Sequence, residues 1–520
     1  MTMAETAPKP TLGEHVEWFV ETWGRMVLSV VAILAQLVAF VVFAVGLVRY
    51  TGLAVVVATA LGVVALVWLV NRRMPTSFKL AWAIPVLVIP VVGPLFFMVF
   101  GTELLTPRQR KALTASSEAG RLAVAQEHPL SLTDLPPSVR RQATYLTNVG
   151  RQPPTTAETA YFPTGEGGFE EMLKGIATAE RYVFCQFFMV AAGVMFERLF
   201  EALAEKAKAG LDVRLLYDDF GSSLRRPHRL AQRCDEVGIK VHPVNPLGIG
   251  LTLRHNNRDH RKLCIVDGTL AFTGGINIGD EYINEVSPYG YWKDNVVRAA
   301  GTAAWPCTVA FLSQWRMTTD ESVDLTDFKP PASELEPAEH VVIPFDETPF
   351  DRIHIALAAY RAAISNAARQ VDITTPYLVV DDTLTEVLTT AARSGVRVRV
   401  VCPGTNDGWA VGHVTRACQR ELILGGVEVY EYQPGFIHSK VLLADDDVAI
   451  VGTVNLDYRS LYLHHENGLW MHEAACLAQV RTDIEGIIAA SRQITKEDLA
   501  ARPWHTRILR AVLRVFAPLM

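Results

Sequence analysis

Two short stretches of this 520-residue chain carry the same reactive side chains at the same spacing. His260-Arg261-Lys262 is followed by Asp267 and then Asn277; His438-Ser439-Lys440 is followed by Asp445 and then Asn455. The two eighteen-residue stretches share six identities, the His, Lys, Asp, Ala, Gly and Asn, and their histidines lie 178 residues apart. An imidazole titrates near neutrality, so it can attack an electrophile or carry a proton. A lysine two residues away, with a carboxamide nearby, can stabilise negative charge gathering on a reaction centre. One such set would say little. Two sets in one chain suggest a pocket of two His, two Lys and two Asn, in which one imidazole can serve as nucleophile and the other as acid and base. Charge stabilisation by the lysines and amides calls for no metal and no other cofactor.

The elements that must position these groups are repeated as well. In a strand, alternate residues share a face, so H-x-K is expected to aim both side chains one way. Leu263–Val266 and Val441–Ala444 then continue as buried strand, and Ala271–Gly275 and Ala449–Gly452 form the second arm of a hairpin that delivers the asparagines. Asp267 and Asp445 fall where turns begin and are expected to hold them. Upstream, the strand-like run Tyr182–Val190, a helix over Glu197–Ala209, Gly210 and the strand Val213–Tyr217 are echoed by Val371–Val380, Leu384–Arg393, Gly395 and Val396–Val401. The two glycines are 185 residues apart. Periods of this kind mark an internal repeat of two α/β halves.

With both motifs in view, the chain resembles the phospholipase D superfamily, and more narrowly the bacterial cardiolipin synthases. The resemblance rests on the two H-x-K-x4-D motifs with Gly-Gly-Ile-Asn-Ile-Gly-Asp-Glu-Tyr at 274–282, Trp292-Lys293-Asp294 and Thr375-Pro376-Tyr377. It extends to Gly435-Phe436-Ile437 before His438 and to Gly452-Thr453-Val454-Asn455-Leu456-Asp457-Tyr458-Arg459-Ser460. It covers roughly residues 70 to 520. The implied fold is N-terminal transmembrane helices followed by two pseudo-symmetric α/β halves, each with a mixed β-sheet flanked by helices. The implied reaction is transfer of a phosphatidyl group from one phosphatidylglycerol to another through a phosphohistidine, with release of glycerol. By resemblance His260 is the nucleophile and His438 the acid and base, although the two copies are too symmetric for the residues alone to assign the roles. Asp294 and Glu466 are candidates for orienting the imidazoles. Two departures bear on substrate preference: His464-His465-Glu466 stands where the family usually has Asn-Phe-Glu, and Ile343-Pro344-Phe345-Asp346 where it tends to have Ser-Gly-Pro.

Composition agrees with a membrane-attached globular protein. Hydrophobic residues make up 50% and charged residues 20%, which excludes wholesale disorder. Mean hydropathy is +0.18, with the apolar excess concentrated in the first hundred residues. Three runs there, Met26–Val48, Leu53–Val70 and Leu80–Phe100, are long enough or nearly so to cross a bilayer. If all three span, positive charges are balanced across the membrane; if the first lies along the interface, the basic excess puts the large domain in the cytoplasm, the orientation expected here. Seven cysteines without a C-x-x-C pair argue against a disulfide scaffold or a cysteine-built zinc site.

The domain plan is a membrane anchor over 1–104, a linker over 105–160 with paired prolines, a first half over 161–328, and a proline-rich joint over 329–344. A second half over 345–500 and a basic amphipathic helix over 501–520, suited to anionic lipid, complete it. Arg254, His255 and Arg258 are candidates for meeting lipid headgroups. The expected partners are phosphatidylglycerol, other anionic phospholipids and the bilayer, with oligomeric state left open. A net charge of −6 counts against nucleic acid. A hydrolytic phospholipase D shares the same site and differs only in its acceptor. A nuclease is the more distant alternative, and a non-catalytic scaffold would not require both complete motif sets.

Overall fold

The computed structural model describes residues 52–519 together with isolated positions 38, 42 and 46, leaving out positions 73, 90, 91, 102–106, 125–129, 151, 247–256, 320, 332–339, 351, 352, 406 and 407. The first apolar run, Met26–Val48, therefore lies outside the described residues apart from three positions, as do Arg254 and His255.

In the first half the strands are β1 (Thr155–Phe162), β2 (Tyr182–Phe187), β3 (Asp212–Asp218), β4 (Lys240–Val244), β5 (Leu263–Val266), β6 (Leu270–Gly274), β7 (Tyr291–Lys293) and β8 (Val296–Gly301). The second half supplies β9 (Val341–Glu347), β10 (Gln370–Thr374), β11 (Arg397–Pro403), β12 (Glu428–Tyr432), β13 (Gly435–Ile437), β14 (Val441–Ala444), β15 (Val448–Gly452), β16 (Glu466–His472) and β17 (Ser491–Ile494). The fold is mixed α/β. The two halves do not keep separate sheets: one 15-stranded sheet runs β17-β12-β11-β10-β14-β15-β16-β9-β1-β8-β6-β5-β2-β3-β4. Its middle is the short antiparallel pairing of β1 with β9, Thr155 opposite Val342 and Thr156 opposite Val341. Reading outward from that seam, each half repeats the same order of strands. The pairs β2/β3, β3/β4, β10/β11 and β11/β12 are parallel and the inner ones antiparallel, while β17, without a counterpart in the first half, adds antiparallel to β12.

Local sequence explains these elements. The run Val-Phe-Cys-Gln-Phe of β2, Leu-Cys-Ile-Val of β5 and Val-Leu-Leu-Ala of β14 are buried throughout, as strands covered by helices on both faces must be. Helices Val194–Lys208 and Asp382–Arg393 cover corresponding positions; the second is capped by Asp381, whose carboxylate accepts from the Leu384 N–H at 2.9 Å. Gly210 and Gly395 stop them with φ of +91° and +97°, a conformation glycine takes without a steric penalty. An apolar core crosses the seam, with Leu263, Ile265 and Val297 of one half packed with Val441, Leu443 and Met471 of the other. All seven cysteines are buried and free.

Three expectations change. The stretch 105–160, read as linker, is folded into helices Pro107–Val124 and Pro137–Gly150, each begun by a proline that needs no N–H partner there. The third apolar run is not one helix: it is broken into Thr76–Val88, with Pro85 inside, and Val92–Phe100, with Pro94 in its first turn. The second run is the helix Gly52–Asn71, which meets them through Ala65, Leu69, Trp82, Val86 and Phe97. Among the described residues no helix is long and apolar enough to cross a membrane. Finally, the C-terminal helix Trp504–Phe516 lies with one face on Trp409–Leu424, tied by Arg514 to Glu421 at 2.5 Å, so only its other face is open.

Candidate active site

Both H-x-K motifs sit in the extended lead-in to a strand rather than in the strand itself, since β5 begins at Leu263 and β14 at Val441. The lead-ins are fixed from the side. β13 pairs in parallel with β7, and the His438 N–H donates to the Lys293 carbonyl at 2.7 Å. In the same way Asp259 bridges to His465 in parallel, and the His260 N–H donates to the His465 carbonyl at 2.9 Å. Each motif histidine is therefore anchored on the residue just before a buried carboxylate belonging to the other half.

Those carboxylates hold the rings. His260 Nδ1 lies 2.9 Å from Glu466 Oε2, and His438 Nδ1 lies 2.7 Å from Asp294 Oδ2. With Nδ1–H donated to a carboxylate, Nε2 is left with its lone pair. Thr453 adds its hydroxyl to Glu466 Oε2 at 2.5 Å. Lys262 Nζ donates to the His260 carbonyl at 2.6 Å and Lys440 Nζ to the His438 carbonyl; Lys440 Nζ also lies 2.9 Å from His438 Nδ1. All four side chains are buried.

Burial sets the electrostatics. Desolvation pushes His260 down to about 3, only partly opposed by Glu466, and His438 down to about 4. The same cause lowers Lys262 to about 8 and Lys440 to about 7. Glu466 is held below the usual carboxylate range: burial opposes its charge, but the nearby His260, His464 and Lys262 outweigh it. Both imidazoles are thus neutral near pH 7.

The asparagines are placed differently from one another. Asn277 accepts from the Met189 N–H at 3.1 Å and donates to the Tyr282 hydroxyl at 2.7 Å, while Asn455 Oδ1 is buried with no partner among the described residues. Tyr282 in turn stands with its ring 5.5 Å from that of His438. Asp267 and Asp445 lie away from this cluster. Each has positive φ, and each carboxylate accepts from three successive backbone N–H groups, of Glu180, Arg181 and Tyr182 or of Ala368, Arg369 and Gln370. Arg258 is buried and paired with Asp218 at 3.3 Å, so it is no surface cation for a headgroup.

Residues beyond the motif list also enter the site. Phe188 stacks its edge near His260, with ring centroids 5.1 Å apart. His464, buried beside His260, brings Nδ1 to 3.8 Å from Glu466 Oε1, and neither of its ring nitrogens has a hydrogen-bond partner among the described residues. His260, His464 and Glu466 could each offer one ligand atom to a metal ion, these atoms lying within 4.8 Å of one another; His260 Nδ1 and Glu466 Oε2 hold each other at 2.9 Å. The signal for Thr453 was its place inside the second Gly-x-x-Asn turn, and for Tyr282 its place five residues after Asn277.

Comparisons with known proteins agree with this architecture. The family described as "Cardiolipin synthase, PLD-like domain" matches residues 172–287 and 360–488, and "Phospholipase D-nuclease N-terminal" matches 60–101. The chain is 33% identical over 460 residues to an uncharacterized protein of Streptococcus mutans, covering 88% of this chain and 99% of that one. It is 30% identical over 461 residues to a cardiolipin synthase of Geobacillus kaustophilus, covering 88% and 91% of the two chains. In fold it is similar to a phosphatidylserine synthase of Haemophilus influenzae, with a TM-score of 0.57 and 15% identity over 73% of this chain and 98% of that one. Full-length likeness of this extent, together with two fused α/β halves that share one site, shows that the chain belongs to the cardiolipin synthase family of the phospholipase D type.

Proposed function

We propose that this protein is a phosphatidyltransferase that makes cardiolipin from two molecules of phosphatidylglycerol. The observation that carries the reading is the crossed pairing of two buried histidines with two buried carboxylates, His260 with Glu466 and His438 with Asp294, beside two buried lysines. His260 Nε2 attacks phosphorus, the bond to the glycerol oxygen breaks, and His438 gives that oxygen its proton. The hydroxyl of a second phosphatidylglycerol then loses its proton to His438 and attacks phosphorus, breaking the P–N bond. Lys262 and Lys440, with the amides of Asn277 and Asn455, meet the charge that grows on the phosphoryl oxygens. His438 is neutral in the empty pocket; an arriving phosphodiester anion favours its imidazolium and loads it with the proton it must deliver. Asp267 and Asp445 keep the strand ends in place and take no part in the chemistry.

Membrane attachment belongs to this reading. Val56, Val64, Val67, Leu87 and Val88 are apolar and largely exposed on the N-terminal helices, a surface suited to hydrocarbon. Holding both lipids in one bilayer favours a lipid hydroxyl over water as acceptor. We place the catalytic domain on the cytoplasmic side.

The test is product analysis by mass spectrometry, with purified protein in mixed micelles of phosphatidylglycerol and a chelator, beside His260→Ala and His438→Ala. Cardiolipin and free glycerol, lost in both variants, are expected. Phosphatidic acid as the main product would make water the acceptor, and activity abolished by the chelator would implicate the His260–His464–Glu466 cluster as a metal site.

A further inference from the structure

A second, strongly basic cavity lies away from the two histidine motifs. It measures about 540 Å³ and is walled by helix Trp409–Leu424, the C-terminal helix and the start of helix Thr76–Val88. Six arginines line it, Arg416, Arg420, Arg502, Arg507, Arg510 and Arg514, against one lining carboxylate, Asp382. Of these, Arg514 is neutralised by Glu421 at 2.5 Å, and Arg507 donates to the Ala500 carbonyl at 3.2 Å. Arg502 Nη1 and Arg510 Nε are buried and have no hydrogen-bond partner among the described residues.

Such an arrangement is costly without an occupant. Buried guanidinium N–H groups left unpaired lose their hydration and gain nothing in return. The arginines also repel one another: Arg510 is lowered to about 10 by burial first and then by Arg502 and Arg416, against Glu431, and Arg502 is lowered by burial and then by Arg416 and Arg492, against Glu431 and Asp498. Several guanidinium forks converging on one space are the chemistry that recognises phosphate.

We propose that this cavity binds the phosphate of an anionic phospholipid at a site separate from the reaction centre. The choice of a lipid over a soluble anion rests on the apolar side chains set among the arginines. Leu80 lines the cavity and is 56% exposed, and Ile508 and Val512 stand 57% and 53% exposed on the helix that carries Arg507, Arg510 and Arg514. Thr76 and Ser77 add short hydroxyls at the wall formed by helix Thr76–Val88, and Tyr458, three residues past Asn455, forms part of the lining, so an occupant touches the segment that carries the second asparagine.

The test is thermal unfolding of the full chain in an uncharged detergent, titrated with dihexanoylphosphatidic acid, dihexanoylphosphatidylcholine or inorganic phosphate. The wild type is expected to gain stability with the phosphatidic acid, and much less with the zwitterionic lipid or with phosphate at equal concentration. Arg502→Gln combined with Arg510→Gln is expected to unfold at a higher temperature than wild type without ligand, because the repulsion is relieved. It is also expected to need at least about tenfold more phosphatidic acid for the same gain, the least that losing charge-assisted hydrogen bonds from two arginines would cost. His438→Ala is expected to keep the wild-type response, which separates this cavity from the reaction centre and from the choice of acceptor there. An unchanged response in the double arginine variant, loss of the response in His438→Ala, or phosphate acting as strongly as the lipid would each overturn the proposal.

Discussion

Glu466, on a strand of the second half, holds the ring of His260, from the first half, at 2.9 Å, and Asp294 of the first half holds His438 of the second at 2.7 Å. Neither half contains both a motif histidine and the carboxylate that orients it. The two halves are therefore chemically interdependent, and the shared sheet through β1 and β9 is what keeps the four groups in register.

Glu466→Gln and Asp294→Asn remove the charge but keep the shape. Each is expected to release its imidazole into the wrong tautomer and lower kcat by roughly 10²- to 10⁴-fold, with KM nearly unchanged, as for the buried Asp of a serine-protease triad. Steady-state kinetics checks this. Loss of KM instead would mean that the carboxylates shape lipid binding.

Assignment of the nucleophile is open to direct trapping. With a radiolabelled short-chain phosphatidylglycerol and rapid denaturation in alkali, His438→Ala is expected to accumulate a phosphoryl label on His260, since release of the intermediate needs the base. His260→Ala is expected to carry no label. The reverse pattern would exchange the two roles.

Asp445→Ala strands the N–H groups of Ala368, Arg369 and Gln370, which its carboxylate now accepts. A cost of about 2–4 kcal/mol in unfolding free energy is expected, measured by denaturant titration. Activity per folded molecule should hold, because this carboxylate faces a turn and not the pocket. Asp267→Ala is expected to behave alike.

Stability should fall in acid with a definite sign. His260, His438 and His465 are pushed by burial to about 3, 4 and 3, whereas an unfolded histidine takes its proton near 6.5. Between those values the unfolded chain binds protons that the folded one refuses. Unfolding free energy is thus expected to drop as pH falls below about 6.5, by roughly 1 kcal/mol per pH unit for each histidine. His465→Gln, outside the pair of motif histidines, is expected to flatten that slope by one such increment in pH-dependent unfolding curves.

Much was legible in the residues themselves. The repeated His, Lys, Asp and Asn spacing marks the chemistry because few side chains can do it, and Gly210 and Gly395 mark helix ends because local backbone conformation demands them. Asp267 and Asp445 are legible only as turn positions: their carboxylates accept from N–H groups 85–87 and 75–77 residues away, a pairing that local sequence does not encode. Which carboxylate serves which histidine was not legible, since His260 and Glu466 are 206 residues apart in the chain and only the folding of one half against the other sets that pairing. Thr453, His464 and Tyr282 join the site for the same reason. The merging of two sheets into one is likewise a long-range choice: strand pairing satisfies edge N–H and C=O groups wherever a partner edge is available. The arginine cavity depends on three helices distant in the chain, and no period in the sequence encodes their meeting.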